Sequence, residues 1–103
     1  MRAAVVSKTG VGQTAIVPID YSQNNFGIGF GVVVSGTITY TVQHAFDNVL
    51  DPTVTPTWFD HADLSGETAN QDGNYAFPVR GIRLNNTAGD GSATLTVLQG
   101  NPG

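Results

Sequence analysis

The chain has no cysteine, which removes disulfide frameworks and thiolate zinc sites from consideration and fits synthesis in a reducing cytosol. Positive charge is nearly as scarce. Only Arg2, Lys8, Arg80 and Arg83 oppose eight acidic side chains, giving a formal net charge of -4. So few cations argue against nucleic acid as a partner, because a phosphate backbone has to be neutralised by lysine and arginine. The same shortage argues against an anionic membrane surface. No apolar run approaches the roughly 20 residues of a spanning helix, and residues 1–8 lack the longer apolar stretch of a secretory signal. Histidine occurs twice and tryptophan once, so histidine-based chemistry has few places to sit.

Threonine, glycine, valine and asparagine fill the space that charge leaves. They suit pleated strands and tight turns more than exposed helices. Hydrophobic residues make up 40% of the 103 positions, enough to pack one interior, so a single domain is expected over 1–103, with 1–2 and 100–103 as loose termini.

Residues 26–46 organise the rest. Even positions carry Phe26, Ile28, Phe30, Val32, Val34, Ile38, Tyr40, Val42, His44 and Phe46, broken only by Gly36. Odd positions carry Gly27, Gly29, Gly31, Val33, Ser35, Thr37, Thr39, Thr41, Gln43 and Ala45. Side chains of a strand alternate between faces, so this is β structure with its even face buried. The stretch is too long for one strand, and a break is expected near Ser35-Gly36-Thr37. A two-residue hairpin would switch the buried parity, and the parity does not switch. The break is therefore expected to be a three-residue loop centred on Gly36, or a bent strand passing from one sheet to another.

Elsewhere, residues 3–7 and 14–19 read as short strands, with Pro18 marking an edge or strand end. Residues 20–25 form a polar connection, and 47–57 form a loop punctuated by Pro52 and Pro56. Residues 58–61 read as a strand end or turn beneath the core, and a helical turn is expected around Leu64. Strand character returns over 74–84. Residues 85–92 read as a turn region, with Asp90-Gly91 as the hairpin signal, before a last strand from Ala93 to Gln99. Asn85-Asn86-Thr87 matches the glycosylation pattern, but without a secretory signal it reads as part of that turn. The fold expected is an all-β, single-domain β-sandwich, jelly-roll-like, of about six to eight short antiparallel strands.

Chemistry-bearing candidates are few. Asp60, His61 and Asp63 are the nearest thing to a metal set, yet they show none of the usual ligand spacings, and His44 reads as a partly buried imidazole. Ser35, Ser65 and Ser92 lack a nucleophile-elbow context. The acidic residues cluster in loops, where solvation accounts for them. No catalytic residue, metal or cofactor is expected. Trp58, Tyr21 and Tyr75 could form a sugar platform, although a lone tryptophan among apolar neighbours belongs more often in a core. Gly27, Gly29 and Gly31 lack the helix and lysine of a phosphate loop. They describe a strand whose outer side is bare, which another surface can approach closely. Arg80 and Arg83 read as one structural partner for Asp60 or Asp63 and one cation for a neighbouring protein. These five residues are the candidate interface.

The order of several short motifs resembles a family of small structural proteins of tailed bacteriophages. It comprises Val17-Pro18-Ile19-Asp20-Tyr21, then Gly36-Thr37-Ile38-Thr39-Tyr40-Thr41-Val42-Gln43-His44, then Trp58-Phe59-Asp60-His61. It closes with Phe77-Pro78-Val79-Arg80-Gly81-Ile82-Arg83-Leu84, Gly91 and Thr94-Leu95-Thr96-Val97-Leu98-Gln99-Gly100. The resemblance covers about residues 14–100. It implies a non-enzymatic virion protein made in the host cytoplasm and carried on the capsid surface as a head decoration or cement protein. Its implied partners are the major capsid protein, at junctions between subunits, and further copies of itself as a dimer or trimer. A tail, neck or fibre component and a carbohydrate-binding module are the alternatives.

Overall fold

The computed structural model describes residues 4–19, 27–75 and 78–99. The expected connection at 20–25, Tyr21 of the aromatic platform, Phe26 and the tail at 100–103 lie outside them. The described residues contain no helix. In chain order the strands are β1 (Ala4–Thr9), β2 (Gly12–Gln13), β3 (Val17–Pro18), β4 (Ile28–Ser35) and β5 (Ile38–Ala45), then β6 (Trp58–Asp60), β7 (Gln71–Tyr75), β8 (Gly81–Gly89) and β9 (Ser92–Gln99). One sheet runs β1-β9-β4-β7; the other runs β2-β8-β5-β6, with β3 also on β8. Every pairing is antiparallel.

Strands β2 and β3 are two pieces of one interrupted strand along β8. Thr14 causes the interruption: its backbone N–H donates to the Leu84 carbonyl, while its hydroxyl oxygen, rather than a carbonyl, accepts the Leu84 N–H at 3.0 Å. The continuous strand expected over 14–19 therefore reduces to Val17–Pro18, with Pro18 on the sheet edge as expected. Counted this way there are eight strands. They pair as β1 with β9, β2/β3 with β8, β4 with β7 and β5 with β6, which is an antiparallel ribbon rolled into two facing sheets, the jelly-roll arrangement.

The core follows the alternation. Ile28, Phe30 and Val32 of β4, Ile38, Tyr40 and Val42 of β5, Ile82 and Leu84 of β8, and Leu95 and Val97 of β9 are all buried between the sheets. Each such side chain contributes roughly 1.5–3 kcal/mol on full burial, so these strands carry most of the hydrophobic driving force. The break at 35–37 is the sheet-to-sheet passage. β4 ends in one sheet, β5 begins in the other, and Gly36 turns the chain at φ +78°. That is why the buried parity survives the break.

Four further expectations are corrected. The outward positions of β5 are also covered, with Thr41, Gln43 and Ala45 buried. The segment after β6 runs along β5 through Val42 N–H to Leu64 O and a reciprocal pair between Tyr40 and Glu67, and Thr41 Oγ1 accepts the Gly66 N–H. The same ladder holds Leu64 in a non-helical conformation. Residues 85–89 belong to β8, leaving only Asp90-Gly91 as the turn. These residues pair with β5, and the Asn86 side chain points inward, tied to the Lys8 and Gly10 carbonyls at the end of β1 in the opposite sheet. Trp58 lies outside the core cluster and is only half-buried, on the outer side of β6 rather than beneath the core.

Candidate functional site

Three surfaces gather the residues singled out in the sequence. The first is the outer face of the β1-β9-β4-β7 sheet. β4 presents Gly29, Gly31, Val33 and Ser35 outward. The register places Leu98, Thr96, Thr94 and Ser92 of β9 beside them. Val5, Ser7 and Thr9 of β1 continue the rows on one side, and Asn74 and Asp72 of β7 on the other. A Cβ added at Gly27, Gly29 or Gly31 would meet nothing within 4 Å, so the strip is open to solvent. Val5 and Val33 are 60% exposed and Leu98 55%. Asp72, on the β7 margin, is the one charged side chain among the described outward positions. The face is broad, uncharged at its centre and hollow along β4.

The second surface is the outer side of the opposite sheet. Gln43 of β5 lies between Asp60 of β6 and Arg83 of β8 by register. Arg83 Nε donates to Gln43 Oε1 at 2.9 Å, and Gln43 Nε2 donates to Asp60 Oδ1 at 2.9 Å. The Arg83 guanidinium also lies 4.1 Å from the Trp58 ring centroid, a cation–π contact. The expected pairing of an arginine with Asp60 is thus relayed through a glutamine. Arg80 sits just before β8, where its N–H donates to Ala45 O and its carbonyl accepts from Ile19 N. Its backbone joins the β3 and β5 ends.

The third surface is one end of the sandwich, where β5, β7 and the turn after β6 bring two histidines to Tyr75. His44 Nδ1 and the Tyr75 hydroxyl are 2.9 Å apart, and Tyr75 packs edge-on against both imidazoles at 5.0 Å. Phe46 and Phe59, each 49% exposed, pack on His44 from outside. A cavity of about 350 Å³ opens here, lined by His44, His61, Tyr75 and their neighbours. Sequence reading named His61 only as a candidate metal ligand. Its Nδ1 accepts the Asp63 N–H at 3.1 Å and its Nε2 lies 3.2 Å from the Asn74 carbonyl. A carbonyl can only accept, so Nε2 is the donor of that contact, and both ring nitrogens are engaged. No group of three metal-ligating side chains converges among the described residues. The Ser35 and Ser92 hydroxyls are cross-strand neighbours at the start of β5, roughly 20 Å from His44 at about 3.3 Å per residue. No serine–histidine pair forms there.

Burial, then the neighbouring His61, lowers the His44 pKa below its usual 6.5, with Asp60 opposing. The unfolded chain therefore takes up a proton at His44 below about pH 6.5 while the folded chain resists it. Stability contributed by neutral His44 is complete above pH 6.5 and falls as the solution is acidified through that value. Urea titrations at pH 7 and pH 5 are expected to show this loss, and a His44→Phe variant is expected to show a smaller one. An equal loss in both would assign the pH dependence elsewhere.

Comparison with known protein families, curated proteins and solved structures finds no match to this chain.

Proposed function

We propose that this chain is a structural protein of a tailed-bacteriophage virion, specifically a head decoration or cement protein that binds at junctions between major capsid protein subunits. The observation that carries the proposal is the uncharged, glycine-hollowed face of the β1-β9-β4-β7 sheet on an otherwise acidic molecule. An exposed sheet face without charge is suited to lying against protein, and its backbone can be approached closely along β4. The motif order that resembles phage structural proteins points the same way, and the jelly roll is an architecture shared by viral capsid and lectin domains. The fold alone leaves those two classes level. Trp58 favours the virion reading, because a guanidinium lies on one face of its ring, leaving less of the indole to stack on a sugar. Repetition around a symmetric shell would convert a modest contact into a large stabilisation through multivalency.

Particles lacking this chain are expected to lose their DNA at lower temperature than complete particles, and added purified protein is expected to restore the difference. Equal resistance of the two, with the chain located on the tail, neck or fibres by labelling, would overturn the head assignment.

A further inference from the structure

We infer that the outer face of the β1-β9-β4-β7 sheet binds a second copy of this chain, forming a two-fold dimer with the axis parallel to the strands. The inference rests on reading that face as a protein contact and names a second copy, rather than the shell, as its occupant, which leaves the other surfaces of the dimer to meet the capsid.

Three features of the face favour a second copy. The first is relief. β4 is a hollow, because Gly29 and Gly31 carry no side chain and nothing fills the space above them. The adjacent β9 is a ridge, because Thr96 and Leu98 stand outward beside those glycines, with Thr94 next along beside Val33. In the sheet order β1-β9-β4-β7, a two-fold axis between β9 and β4 lays each copy's ridge over the other's hollow. The contact is then isologous and closes after two copies.

Charge is the second feature. The molecule carries net charge -4, so most faces of two copies repel one another. This face brings only Asp72 into the arrangement, and the axis sends the two Asp72 carboxylates to opposite margins, each over the other copy's β1. Three strand spacings of about 4.8 Å separate them laterally by roughly 14 Å, which exceeds the ~8 Å screening length of physiological salt. The uncharged centre meets itself without a desolvated ion.

Area is the third. Four strands spaced about 4.8 Å apart and some 22 Å long give a footprint of roughly 420 Å² per copy. Two copies bury a footprint of roughly 840 Å², close to the lower edge, about 1,000 Å², of specific interfaces. A dimer at this lower edge of size is expected to be weak and concentration-dependent.

Sedimentation equilibrium of the purified full chain, from low micromolar to submillimolar concentration, tests the inference. The wild type is expected to move from the subunit mass to twice that mass. Gly31→Arg places a charge at the centre of the face where the fold has open space, so its melting temperature is expected to match the wild type. Its dimer is expected to be at least about tenfold weaker, as for a charge buried without a partner. Leu98→Arg on the ridge should act in the same way, and Thr55→Arg, in the exposed 46–57 loop, should not. A wild type that stays monomeric at submillimolar concentration, or a dimer that both face variants leave intact, overturns the inference. If the chain is monomeric but Gly31→Arg abolishes particle binding, the face belongs to the shell, and the decoration role stands without the dimer. Dimerisation without particle binding would reverse that outcome.

Discussion

Replacing Asn86 by aspartate is expected to destabilise the protein by about 3–5 kcal/mol, the range for a buried charge left without a partner. Asn86 is 1% exposed, on the inward side of β8. Its amide nitrogen donates to both the Lys8 and Gly10 carbonyls at 3.0 Å, closing the end of β1 in one sheet onto β8 in the other. Its carbonyl oxygen has no hydrogen-bond partner. An aspartate keeps the shape and removes both donors, so two carbonyls face a carboxylate in a dry site. Burial and those carbonyls would raise the folded-state pKa above the unfolded value near 3.9. The penalty is therefore present at neutral pH and shrinks as pH falls through the raised pKa, where the acid can donate one bond. Urea unfolding followed by Trp58 fluorescence at pH 7 and pH 4 checks both parts. A loss below about 1 kcal/mol at pH 7, the worth of an ordinary hydrogen bond, would mean that this clamp is dispensable.

Gly89→Ala is expected to cost at least about 3 kcal/mol, whereas Gly31→Ala is expected to be neutral or slightly stabilising. Gly89 has φ +100°, and a Cβ there would collide with the Thr37 carbonyl oxygen and come within 2.9 Å of Ile38 Cα. Both neighbours are backbone, so neither can turn aside. Gly31 has open space around the same added atom. For a domain of this size each kcal/mol moves the melting temperature by about 4–8 °C, so the two variants should differ by more than 12 °C or so in a thermal melt. Equal melting temperatures would remove the argument that the sheet-to-sheet passage is packed backbone on backbone.

These contrasts mark what could be read in the chain beforehand. Alternation alone located the inner faces of β4 and β5, because a period of two is a local property and Ile28 through Val42 express it with Gly36 as the single gap. The unbroken parity across Gly36 also disclosed a passage between sheets as one of two possibilities. Burial of Gln43 was not legible. It depends on Arg83 and Asp60, which arrive from other strands and have no local signature in β5. Asn86 was read as turn because asparagine beside asparagine and threonine favours turns, and only the opposite sheet supplies the two carbonyls that make it a clamp. Trp58 was placed inside on hydrophobicity, while a stacked guanidinium lets the indole remain at the surface. The gathering of His44, His61 and Tyr75 depends on where β7 and the turn after β6 meet β5, which no spacing in the sequence encodes. The candidate interface divides in the same way. The glycine strip followed from parity, but its neighbours on β1 and β9 followed from register.

The position of β8 and β9 has a consequence for biosynthesis. Each lies in the interior of its sheet, yet they are the latest of the described strands to leave the ribosome. β1 has no partner in its sheet except β9, and β2 and β3 have only β8. A nascent chain lacking residues 81–99 can therefore form only the β4–β7 and β5–β6 ladders and the bonds of the segment after β6 to β5, none of which encloses an interior. Folding of this domain has to await β8 and β9 and then close contacts between distant positions, which is slow. Copies terminated before residue 81 would leave β1, β2 and β3 without a strand to pair with.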